Sequence, residues 1–331
     1  MLFHPTILAL YVGSLLVAFL VLYAVPPALQ ILRRWDLHSG SELQLNIERK
    51  TYLISTLLAY AFGFELLSFF LYIFAAEQLH PLFVGAMCAA GSLYVNAFGY
   101  PTLILKLINF LLVGVWLILN YADNRGDDYP LIRLKYGYFL LLAPLILLET
   151  FLQAKYFLGL APDVITSCCG SLFSTGTGVR SSGGRLFPKA PAIAVFYVTQ
   201  ALTTGSGFYF LRKGRGGYLF SGLSALALLV SVGSIFSFIS LYIYELPTHA
   251  CPFCLLQKDY HFIGYPLYLT LLGGAIAGIG TGVLMPFKKI ASLSTSLPGI
   301  QKKLTWTSIL FFLVFTGLVT VQVLLSNLVL E

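Results

Sequence analysis

Five cysteines, Cys88, Cys168, Cys169, Cys251 and Cys254, are the residues with the most chemistry in reach. Two of them fall in the segment His249-Ala250-Cys251-Pro252-Phe253-Cys254-Leu255-Leu256-Gln257-Lys258. A Cys-x-x-Cys puts two sulfurs within one turn, where they close a disulfide or share a metal. If Cys254 opens a helix, the free N–H groups and the dipole there favour a thiolate. Lys258, four residues further on, then lies on the same helical face and its charge adds to that effect. Gln257 offers a donor and an acceptor. The segment therefore reads as a reactive pair, against the plainer alternative of a structural disulfide in a turn. With His249, Cys168 and Cys169, the same pair also makes a soft site for copper or zinc.

The elements that must position these residues are membrane helices. Hydrophobic residues make up 58% of the chain and charged residues 10%, with mean hydropathy +0.86, so a water-soluble surface cannot be assembled. A bilayer-crossing helix needs about 20 apolar residues. Eight segments qualify: 6–32, 52–76, 103–121, 137–160, 190–211, 218–246, 254–287 and 304–330. The stretch 82–98 is apolar but carries Gly85, Gly91, Ser92 and Asn96, and is expected to be interfacial or re-entrant. The fold class is thus an all-α polytopic bundle. The small-residue stripe Gly274, Gly278 and Gly282 is expected to pack on a neighbouring helix. Pro26 and Pro27 allow a kink near the end of the first span.

The net charge of +7 comes from topology rather than from nucleic-acid binding. Arg33, Arg34, Arg49, Lys50, Arg125, Arg133, Lys135, Arg212, Lys213, Arg215, Lys288, Lys289, Lys302 and Lys303 all fall in alternate connections. The positive-inside rule puts those connections in the cytoplasm and both termini outside. Arg180, Arg185 and Lys189 are the exception, in the loop after the fourth span. All five cysteines then face outward. That is the oxidising side of a bacterial inner membrane, facing the periplasm, or of a lumenal membrane.

Cys-Pro-Phe-Cys-Leu-Leu-Gln-Lys resembles the Cys-x-x-Cys-x-x-Gln-Arg segment of the disulfide bond formation protein B family, with Lys258 at the basic position. The order of parts over 135–287 is similar to the vitamin K epoxide reductase family. There a helix leads to an outer loop with shuttle cysteines, and two more helices precede the Cys-x-x-Cys. The resemblance implies a membrane thiol–disulfide oxidoreductase that exchanges electrons with a quinone. Cys254 would meet the quinone and Cys251 would be its disulfide partner. Cys168 and Cys169, with or without Cys88, would shuttle electrons to a soluble thioredoxin-like partner outside. On this reading 1–134 is an N-terminal three-helix part, 135–287 the redox-like part and 288–331 a C-terminal helix. Adjacent Cys168 and Cys169, where the families separate their shuttle cysteines, and Lys in place of Arg are departures.

Ionisable residues inside spans are costly and usually meet partners. Gln257, Asp259, His261 and Glu149 are candidates to hold quinone oxygens. Glu149 also has Lys155 as a sequence-local ion-pair partner, whereas Glu65 has none. Gly99-Tyr100-Pro101, eleven residues after Cys88, echoes Gly264-Tyr265-Pro266, ten residues after Cys254. Two other functions compete with the redox reading: metal handling or cofactor assembly at the Cys/His site, and a quinone-binding or structural subunit of a respiratory assembly. Lipid contact is expected throughout.

Overall fold

The computed structural model describes residues 4–36, 41–126, 128–161, 189–246 and 249–328. Cys168 and Cys169 lie outside the described residues. The described chain is helical, and seven of its helices are long and apolar enough to cross a membrane. The protein is an integral-membrane type of helical bundle. Its contacts divide into two compact units.

The first unit comprises Met1–Ala75, Asn96–Ala161 and Pro286–Ile300. It contains α1 (Pro5–Arg34), most of α2 (Glu42–Leu79), α4 (Gly99–Asp123) and α5 (Ile132–Leu158). Leu8, Val12, Leu15, Phe19 and Leu22 on α1 are exposed, while Leu10, Val17, Val21, Ala24 and Ala28 are buried. A helix apolar on both faces needs lipid on the outer one. The helix runs through Pro26 and Pro27 without a break in its assignment. Trp116 anchors the core, with its ring edge-on to Phe62 at 4.8 Å and its Nε1 donating to the Lys135 carbonyl at 3.1 Å. Lys135, one of the charges expected to mark a cytoplasmic loop, is instead fully buried in α5. Its Nζ meets Asp123 at 2.6 Å. Asp123 also accepts the Leu131 N–H at 2.8 Å, which closes the α4–α5 connection.

The second unit comprises Ala76–Val95, Pro162–Met285 and Gln301–Glu331. It holds α3 (Ala89–Tyr94), α6 (Lys189–Lys213), α7 (Gly217–Ser234), α8 (Ser240–Tyr244), α9 (Gly264–Val283) and α10 (Leu297–Leu325) save its first turn. The expected interfacial piece at 82–98 is the short α3 and its flanks. The expected span 190–211 is the helix α6, but it is more polar than the seven. Its Gln200 donates to Ser231 on α7 at 2.9 Å. A π-helical turn, Ile235–Ile239, joins α7 to α8. The glycine stripe of α9 does what its spacing suggested. A Cβ on Gly278 would lie 2.2 Å from Ser224 Oγ, so only glycine lets α7 approach.

One boundary differs in a way that matters. Cys254 does not open a spanning helix. Cys254–Leu256 is a 3-10 turn, Gln257 is extended and Lys258–Tyr260 is a second 3-10 turn. His261 and Phe262 are left-handed, at φ 53° and 56°, and α9 starts at Gly264. Proline explains the offset. A helix from Cys254 would bury Pro266 in its interior, where the missing N–H and the ring clash cost about 3 kcal/mol. Started at Gly264, the helix takes Pro266 in its first turn, where that N–H has no partner to lose. Gly99-Tyr100-Pro101 opens α4 in the same way, so both copies of the motif are helix starts.

Candidate functional site

Cys88, Cys251 and Cys254 converge in the second unit, with all three Sγ atoms within 4.8 Å of one another. Cys88 Sγ is 3.7 Å from Cys251 Sγ. The three are 1%, 2% and 6% exposed, so none is an ordinary surface thiol. Sequence reasoning held Cys88 as an optional participant; the fold puts it against the Cys-x-x-Cys pair.

Two polar residues bring these segments together. Glu77, near the end of α2, accepts the Ala89 N–H at 2.7 Å with Oε2. Its Oε1 accepts a hydrogen bond from Gln257 Nε2 at 2.9 Å. Gln257 also donates to the Met87 carbonyl at 2.7 Å. The residues before and after Cys88 are thereby tied to the segment after Cys254. Glu77 was missed by sequence reasoning, since a glutamate at the polar end of a span carries no motif. Two tyrosines hold the turn itself. Tyr244 donates to the Cys251 carbonyl and Tyr268 to the Pro252 carbonyl. The ring of Tyr244 packs against His249 at 5.0 Å and Tyr260 at 4.6 Å, making an aromatic wall beside the cysteines.

The electrostatics single out Cys251. Its thiol is pulled down to about 4 because its sulfur accepts hydrogen bonds from Cys254 first and Cys88 second, with the Phe253 and Cys254 N–H groups adding to them. Cys254 moves the other way, because its thiol is the donor to Cys251 and is itself desolvated. The thiolate character expected at Cys254 thus falls on Cys251. The physical reason is the cluster: the Cys254 and Cys88 thiols converge on Cys251, the backbone N–H groups of the turn add to them, and no helix N-terminus forms at Cys254. His249 Nε2 lies 3.3 Å from Cys254 Sγ. Burial lowers the His249 pKa, which favours the neutral ring.

The remaining candidates are dispersed. Lys258, Asp259 and His261 are exposed on and just after the second 3-10 turn, and with no helix there Lys258 does not share a helical face with Cys254. Glu149 belongs to the first unit, where Lys106 rather than Lys155 is its ion-pair partner, at 2.5 Å. Lys155 instead lies over the Phe151 ring. No protein-family profile, curated protein or solved structure matches the chain. Fold and site together define a membrane-type helical bundle with a buried three-cysteine cluster.

Proposed function

We propose that the chain is an integral membrane thiol–disulfide oxidoreductase that exchanges electrons with a quinone. The observation that supports this most is the convergence of a third thiol, Cys88, on the Cys251–Cys254 pair, with Cys251 poised as thiolate. In the reaction, the Cys251 thiolate and the Cys254 thiol form one S–S bond. Two electrons pass to the quinone together with the Cys254 proton and a second proton from water, and the quinone becomes a quinol. His249 is placed to take the Cys254 proton, and the mutually tilted Tyr244, His249 and Tyr260 rings offer an aromatic wall for edge or face contact with a quinone ring. Cys88 then exchanges with the new disulfide. Its sulfur attacks Cys251, the Cys251–Cys254 bond breaks, and the Cys88 proton passes to the departing Cys254 sulfur. Cys168 and Cys169 carry the exchange onward to a soluble partner on the outer face of a bacterial inner membrane.

The test is stopped-flow mixing of the reduced, purified protein with a soluble quinone analogue. Quinol should appear with a Cys251–Cys254 disulfide found by mass spectrometry, and Cys251→Ser and Cys254→Ser should each abolish both. Thiols that stay reduced in the presence of quinone sink the proposal.

A second reading is favoured by one geometric fact. Thiolates bound to tetrahedral zinc at about 2.3 Å lie about 3.8 Å apart, and Cys88 and Cys251 are 3.7 Å apart. His249 beside Cys254 supplies a fourth donor. On that reading the cluster holds zinc or copper(I). Anaerobically purified protein would carry the metal in stoichiometric amount, and Cys88→Ser would release it.

A further inference from the structure

A second polar cluster lies inside the first unit, apart from any cysteine. Glu65 on α2, Lys106 and Asn109 on α4, and Glu149 on α5 are all buried. Lys106 Nζ donates to Glu149 Oε1 at 2.5 Å and to Ser68 Oγ at 3.0 Å, and lies 4.0 Å from Glu65 Oε1. Asn109 Nδ2 donates to Glu149 Oε2 at 2.5 Å. Glu65 and Glu149 thus both approach the same Lys106 ammonium, at 4.0 and 2.5 Å. Asn109 Oδ1, fully buried in the same cluster, has no donor among the described residues.

The surroundings add little charge. The Tyr72 ring on α2 lies 5.7 Å from Lys106 Nζ, and its hydroxyl donates to the Gly99 carbonyl. Tyr156 on α5 packs on Tyr72. From α1, Ser14 and the Leu10 carbonyl accept from Gln153, one turn beyond Glu149. Two carboxyls therefore face one ammonium. Fully ionised, the three residues leave one uncompensated negative charge in a low-dielectric interior, which is strongly unfavourable. Two carboxyls that share one buried ammonium reach neutrality when one of them holds a proton. A metal cation would relieve the charge only by sitting beside the Lys106 ammonium, a like-charge contact.

We propose that Glu65 and Glu149 form a proton-binding site in the membrane interior, holding one exchangeable proton beside Lys106. On release, the carboxyl O–H bond breaks, the proton passes to water, and both electrons of the bond stay on the carboxylate. No oxidant or reductant takes part. Asn109 Oδ1 is the free acceptor for a donor such as water entering the cluster. This proposal is independent of the thiol chemistry.

The test is infrared spectroscopy of the full-length protein in lipid nanodiscs. The wild type should show a protonated-carboxyl C=O band at pH 7 equivalent to one group per chain, shifting in D2O. Glu65→Gln and Glu149→Gln should each remove it, because either variant leaves one carboxylate to pair with Lys106. A wild type without the band, a band insensitive to D2O, or a band surviving in either variant overturns the proposal. So does a band whose pH titration moves when sodium or potassium is added, the mark of a metal-cation site. If a variant fails to fold, the wild-type band and its D2O shift still decide.

Discussion

Glu77→Ala should unlock the cysteine pocket. In the native protein the Glu77 carboxylate satisfies the buried Ala89 N–H and the Gln257 amide. Hydrogen bonds to a charged group contribute about 1.5–3 kcal/mol each, and an orphaned buried donor costs about 1–3 kcal/mol. The Ala89 N–H is buried and bears the full penalty, whereas Gln257 is half-buried and water replaces part of its loss. A local destabilisation of about 3 kcal/mol follows, equivalent to about a hundredfold more of the open state. Cys88 is 1% exposed, so a small maleimide reaches it only through that opening. Site-resolved mass spectrometry of timed alkylation on the reduced protein should find Cys88 labelled about a hundred times faster in the variant. Glu77→Gln keeps one acceptor oxygen for Ala89 and should raise the rate by about tenfold or less. A Glu77→Ala protein whose Cys88 labels at the wild-type rate would show that this carboxylate does not hold the segments together.

Four further outcomes follow from the same structure. With its pKa near 4, Cys251 should give about one equivalent of thiolate absorbance in the reduced protein at pH 6, lost in Cys251→Ser. Because its folded pKa lies below that of an unfolded cysteine, its contribution to stability is complete above about pH 8.5 and fades as pH falls toward 4. A reduced protein with no thiolate signal until pH 8 contradicts this. Lys135→Met leaves Asp123 buried without its partner and should cost about 3–5 kcal/mol, while Asp123→Asn with Lys135→Met recovers most of it, both read as shifts in thermal midpoint. Gly278→Val should lower the midpoint by forcing α7 from α9, whereas Gly137→Ala, which meets nothing within 4 Å, should leave it unchanged.

The helices were legible because a bilayer imposes a length and an apolarity that composition reports directly. The polar exceptions were harder to read. Lys135 sits in a basic connection by sequence, yet Asp123 across the α4–α5 turn draws it into the core. Glu149 has a sequence-local partner in Lys155, six residues away, but helix packing supplies Lys106 from 43 residues earlier. The Cys-x-x-Cys was visible as a motif. Its register was not, because a proline 12 residues after Cys254 decides where the next helix begins.

The sequence by itself determined that the protein is a bundle of apolar helices, that the glycine stripe packs tightly and that Cys251 and Cys254 are close. These are local properties, fixed by residue type and spacing along one helix or one turn. Only the tertiary structure decided that Cys88 completes the cluster and that Glu77 holds the two segments. It also put two glutamates against one lysine inside the first unit. Each of those depends on a hydrogen bond or contact between residues far apart in the chain, whose energy exists only once the helices have packed.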